Sequence, residues 1–251
     1  MENDIKLGSI LKETFEVFSV NIIPILLLSV PLHIAYLFGW PILEKFLYLN
    51  TRISGFFGEY TYPVFNAVFS GLVEAITAVL VMWYLTRKSF HVSRKKLLTI
   101  VTVWTAILII LYLPGEYLDQ VEDQYSKMIP ATLSTLIAFF LLIRLSLVVP
   151  VCFYEQKQGL KQSLMKSHIL IIGYGWLFFA SIMMFGIAMA VAFYLQDLFY
   201  VDEPEWLNDI FSSLITGMSS SLSAVLALTW YRHLSGEAGV NSKDSIRQIF
   251  E

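Results

Sequence analysis

The chain has 251 residues, of which 57% are hydrophobic and 15% charged, and its mean hydropathy is +0.66. Soluble domains are nearer half apolar and a quarter charged, so the balance excludes a soluble globular protein. The net charge of −3 offers no basic surface for nucleic acid, and the single cysteine, Cys152, excludes an internal disulfide framework.

The opening MENDIKLGSILKETF places acids before its first base, and no small-x-small cleavage site follows the first apolar run. It is not a signal peptide, and the first span is expected to stay as an anchor. Residues 5–19 repeat apolar side chains at Leu7, Leu11, Phe15 and Phe18, with Lys6, Lys12, Glu13 and Glu16 on the other face. Spacing of three to four predicts an amphipathic helix lying on the membrane surface; a cytosolic extension of the first span is the plainer alternative.

Apolar runs of about 20 residues match the thickness of a bilayer core. They predict spans at about 21–40, 63–85, 97–113, 129–151, 169–195 and 210–231. The first contains Pro24 and Pro31, which membrane bundles tolerate as kinks. Residues 41–62 read as a loop resting on the outer surface. The expected fold is all-α: one integral membrane domain over 1–251, a polytopic bundle of six helices with an N-terminal amphipathic interfacial helix.

Lys and Arg in short loops set orientation. With the N-terminus in the cytosol, thirteen of the seventeen basic residues fall in inner segments and three in outer ones, and Arg144 lies within a span. The loop Thr86–Lys96 is basic, whereas Pro114–Met128 and Gln196–Asp209 are acidic. Both termini are therefore expected to be cytoplasmic. Lys157, Lys161 and Lys166 make residues 156–168 a basic amphipathic segment, expected in the inner interface.

An ionisable group in hydrocarbon needs a partner or a route to water. Glu74 lies near the middle of the second span, and Asn66, Ser70 and Thr77 extend its polar face at helical spacing. Arg144 lies in the fourth span at a depth differing by about 5 Å. Glu74 and Arg144 are the candidate buried pair, either a pocket for a lipid headgroup or proton, or a structural pair that sets helix packing. Ser213, Gly217, Ser220, Ala224 and Ala227 form a small-residue stripe in the last span, read as a close-packing face. Gly173-Tyr174-Gly175 resembles a potassium-filter triplet but lacks the re-entrant loop that a filter needs. The histidines His33, His91, His168 and His233 show no metal-ligand spacing, and no phosphate loop or nucleophile elbow is present. Cys152 is a small apolar residue or a palmitoylation site. No catalytic residue, metal or cofactor is expected.

The run RLSLVVP at Arg144–Pro150, then Glu155, Gly159, SLMKS and Gly173, resembles the membrane domain fused to some glycerophosphoryl diester phosphodiesterases, which is similar to YciC-like multi-span bacterial proteins. LGSILKETFEVFSVNIIPILL resembles that family's opening and ALTWYRHLSGEAG its end; Ser163 stands where the family has Ala, and His168 where it usually has Trp. The resemblance implies a bacterial inner-membrane protein. A separate domain does the chemistry in the fused proteins, and this chain has no His-Arg-Gly stretch of their type, so phosphodiesterase activity does not transfer. The expectation is a non-catalytic accessory or scaffold acting on envelope lipid or on another membrane protein. The alternative is a transporter or exporter component, or a self-protection (immunity) protein against a membrane-active peptide.

Overall fold

The computed structural model describes residues 5–50, 55–86, 140–155, 159–199 and 205–236, with scattered positions between 94 and 137. Every regular element among them is α-helical: α1 Leu7–Val20, α2 Ile22–Asn50, α3 Gly55–Thr86, α4 Val148–Tyr154, α5 Leu160–Ile171, α6 Gly175–Phe199 and α7 Glu205–Ser235. Four stretches are long and apolar enough to cross a membrane: Ile22–Leu43, Val68–Thr86, Gly175–Gln196 and Trp206–Ser235. These correspond to the first, second, fifth and sixth expected spans. The third and fourth expected spans are described in part, at scattered positions from 97 to 106 and at 133, 136, 137 and 140–151; Lys157 and His91 lie outside the described residues.

Several boundaries differ from expectation. The surface loop over 41–62 is largely helix, because α2 runs on to Asn50 and α3 starts at Gly55. Pro41 removes a single backbone donor, and the apolar spacing of Leu43, Phe46 and Leu47 continues the helical pattern beyond it. The fifth span begins at Gly175, after a turn at residues 172–174 in which Gly173 adopts φ +89°. That left-handed conformation is one glycine reaches without Cβ strain. The Gly-Tyr-Gly triplet is thus a helix–helix turn. The fourth run breaks at Ser146 and Leu147 before α4. Pro150 has no N–H to give the Ser146 carbonyl, and its ring crowds that carbonyl.

Helix α7 is the axis of the bundle. It packs on α1, α2, α3, α4, α5 and α6, and every residue from Ala224 to Tyr231 is buried. Gly217 makes the close approach to α2: a Cβ there would lie 3.2–3.3 Å from Val30, including its backbone N and Cα. The small-residue stripe is therefore a packing face at this position. Trp230 fills the core, edge-on to Phe178 at 5.4 Å, and its indole N–H donates to Ser181 Oγ at 3.1 Å.

A helix this polar can be buried because its hydroxyls are satisfied locally. Thr216, Ser220, Ser221 and Thr229 each donate to the carbonyl four residues back, at 2.7–3.1 Å. Helices α1 and α2 meet at Asn21, whose amide donates to Val17 O at 2.8 Å and so satisfies a carbonyl at the end of α1. The buried stripe Ile10, Thr14 and Phe18 turns α1 inward, mainly against α7.

Candidate functional site

The polar face foreseen on α3 points into the bundle and meets α2 and α7. Tyr36 on α2 donates to Asn66 Oδ1 at 2.7 Å. Ser70 and Glu74 line a cavity of about 90 Å³ together with His33, Tyr36, Ser213 and Thr216. Thr77 is fully buried, and its hydroxyl has no hydrogen-bond partner among the described residues.

Glu74 meets His33, not Arg144. Its Oε1 lies 3.7 Å from His33 Nε2, and its side chain keeps 22% of its exposure. The Arg144 guanidinium lies 5.4 Å from the centroid of the Phe140 ring, and its buried Nη1 has no hydrogen-bond partner among the described residues. The expected Glu74–Arg144 ion pair does not form; both are described residues. Similar expected depth does not decide contact; each helix's rotation about its axis does. The rotation of α2 brings His33 to Glu74. Ser167 of α5 donates to the Arg144 carbonyl at 3.0 Å, which ties that segment to the other side.

His33 is held by its neighbours on both sides. Its Nδ1 lies 2.9 Å from Ser29 O, and a carbonyl only accepts, so Nδ1 carries a proton. Its Nε2 then faces Glu74 and, at 3.3 Å, Ser220 Oγ. Ser, His and Glu together suggest a hydrolytic triad, but the geometry is wrong for one. A triad needs the acid on one ring nitrogen and the nucleophile on the other. Here both approach Nε2, and the Ser220 hydroxyl is spent on Thr216 O at 2.9 Å. The arrangement can instead hold one proton. Shared between Nε2 and the carboxylate, that proton leaves the pair neutral overall; without it the pair carries one negative charge.

Glu74 also borders a larger cavity of about 290 Å³. Its walls are mostly apolar, with Met82, Trp104, Phe178 and Phe185 among them, and Ser219, Ser220 and Ser223 of α7 line it too. Glu74 thus stands between a small polar cavity and a larger, mainly apolar one.

A second polar cluster ties the helix ends together. Glu13 of α1 lies 2.8 Å from His233 Nε2 and 3.9 Å from Arg232 Nη1. Arg232 Nε donates to Tyr154 OH at 3.4 Å, and Tyr231 OH donates to Glu155 at 3.4 Å. Lys166 pairs with Glu155, whereas Lys161 is exposed. Lys166 is thus drawn inward rather than left free on the surface. Sequence reasoning missed His33, Ser220 and this cluster. The signal for His33 was its place near the middle of the first span, opposite a mid-span acid.

Among the described residues no group of three or more His, Cys, Asp or Glu side chains gathers as a metal site. No protein-family model, no curated protein and no solved structure matches the chain.

Proposed function

We propose that this chain is a multi-pass protein of the bacterial inner membrane that works without catalysis of its own, as an accessory or scaffold holding an envelope lipid or membrane partner. The observation that supports this reading is the cavity of about 290 Å³ beside Glu74, apolar on most of its wall and polar at one place. An amphiphile would be held by such a site. Kinship with the phosphodiesterase-fused membrane domain belongs to the same proposal and rests on the Arg144–Pro150 run and Glu155.

The test is purification from native membranes in mild detergent, followed by mass spectrometry of what comes with the protein. The wild type carries a stoichiometric amphiphile, and Ala224→Phe, which fills the cavity wall, releases it. Empty wild-type protein, with a cellular phenotype unchanged by Ala224→Phe, refutes the reading.

Glu74's place between the two cavities favours transport as the second reading. The smaller cavity continues from Glu74 past Ser70 to Tyr36, which hydrogen-bonds Asn66, a polar line between α2, α3 and α7. Flux into proteoliposomes that is lost in Glu74→Gln supports transport; retained flux removes it.

The proposed topology is six spans, both termini cytoplasmic and α1 in the inner interface. The Lys/Arg asymmetry supports it, and so do the exposed Phe15 and Val20 of α1. Cysteine labelling from outside should reach positions 123 and 202 but not 95 and 158. The reverse pattern, or a spin label at Phe15 reporting bulk water, defeats it.

A further inference from the structure

We infer that the larger cavity selects a small lipophilic ammonium, whose cationic head sits on Glu74 and whose short apolar body lies among Met82, Trp104 and Phe178. The inference rests on the holding role proposed for that cavity and adds the chemical class of what is held.

Three observations carry it. The first is charge. Among the described residues that line the cavity, Glu74 is ionisable and none is Lys, Arg or His. His33 approaches Glu74 from the other cavity. On this wall an anionic head would therefore meet the Glu74 carboxylate, whose described basic neighbour, His33, lies 3.7 Å away on the far side, and in a low-dielectric site the nearer charge repels it. A cationic head meets its counter-ion.

The second observation is the direction of the hydroxyls. Ser220 donates its proton to Thr216 O at 2.9 Å, and Ser146 donates its own to Ile143 O at 3.0 Å. Both line the cavity. A serine that has spent its proton on a backbone carbonyl has only lone pairs left to offer. Two of the four serines on the wall, with Glu74, thus present acceptors, and they fit a head with several N–H donors better than a carboxylate or phosphate.

The third observation is size and wall chemistry. A volume of about 290 Å³ lies at the lower edge of the ~300–1,000 Å³ usual for small-molecule sites. It has room for a head and a short alkyl or aryl body. Trp104, Phe178 and Phe185 bring aromatic rings to the same space, and such rings attract ammonium groups as well as apolar ones.

The experiment uses the full chain in lipid nanodiscs and three probes of one length: n-octylammonium, octan-1-ol and octanoate. Trp104 lines the cavity, so binding is read from tryptophan fluorescence, and Trp104→Phe assigns the signal. Octylammonium should bind saturably, about tenfold or more tighter than octanol, a gap that corresponds to about 1.4 kcal/mol. Octanoate should not bind. Glu74→Gln should abolish the preference for the amine, and Glu74→Asp should keep it. Octanoate binding as tightly as octylammonium overturns the inference. Equal binding of octanol and octylammonium, unaffected by Glu74→Gln, overturns the ammonium selectivity while leaving the cavity's holding role intact. No saturable binding of any probe to the wild type overturns both. The three-probe comparison on the wild type stands whether or not the variants fold.

Discussion

Helices α6 and α7 follow one another in the chain and pack together, yet their surroundings are opposite. Over its most apolar window the α6 span is 17% buried inside the protein, whereas the α7 span is 50% buried. The more buried helix is the less apolar one. Helix α6 reads GWLFFASIMMFGIAMAVAF, while α7 carries Ser212, Ser213, Ser219, Ser220, Ser221 and Ser223. In water, the apolar face turns inward. In a bilayer, lipid tails are as apolar as leucine, so hydrophobicity gives no reason to choose the protein side. What sends a helix to the centre is the ability to pack closely and to bond polar groups. Helix α7 does the first at Gly217 and the second through its serines and threonines.

The sharpest test of this contrast uses one tryptophan from each helix. Trp230 of α7 is 0% exposed and hydrogen-bonded to Ser181; Trp176 of α6 is 78% exposed. Trp230→Ala should lose about 3–5 kcal/mol through the cavity it leaves and the lost hydrogen bond to Ser181. Trp176→Ala should stay within about 0.5 kcal/mol. Thermal unfolding in one detergent compares them, and equal losses would break the contrast.

Next comes the glycine pair. Gly217→Leu must push α2 away at Val30, with an expected cost of about 1–3 kcal/mol or more. Gly186→Ala on α6 meets nothing within 4 Å and should be nearly silent. A tolerated Gly217→Leu would mean that α2 and α7 do not approach closely at this point.

The polar centre allows a double-mutant cycle. Glu74→Gln and His33→Gln should be non-additive, with a coupling of about 0.5–3 kcal/mol, as residues in contact usually are. Glu74→Gln and Arg144→Leu should add to within about 0.5 kcal/mol. Coupling in the second cycle and none in the first would reinstate the Glu74–Arg144 pair.

The smallest expected effect is at the surface of α1. Lys12→Ala removes only an exposed i,i+4 contact with Glu16 at 3.7 Å and should cost at most about 0.5 kcal/mol. Its neighbour Glu13, which holds Arg232 and His233 of α7, should cost more when changed to Gln, about 1 kcal/mol or above. If both are silent in thermal unfolding, α1 is not held to α7 by this cluster.

The long apolar helices were legible because hydropathy over about 20 residues is a local sum. The inward polar face of α3 was legible too, since Asn66, Ser70, Glu74 and Thr77 recur at helical spacing whatever their partners. The helical content of 41–62 was not: its apolar residues, among them Leu43, Phe46 and Leu47, read locally as those of a loop resting on a surface. Nor was the cluster that joins α1 to the end of α7: Glu13 and His233 are 220 positions apart, and nothing local to either names the other.

Local composition decides which stretches are long apolar helices and which of their faces are polar, because each residue contributes independently of distant ones. The meeting of those faces depends on rotation and approach. Gly217 lets α2 come close enough to α7 for His33 to reach Ser220, and the same placement presents His33 to Glu74. A few tens of degrees of rotation in α2 would take His33 away and leave Glu74 to find another partner. That angle is set by the packing of all the helices at once, so it exists only in the assembled bundle.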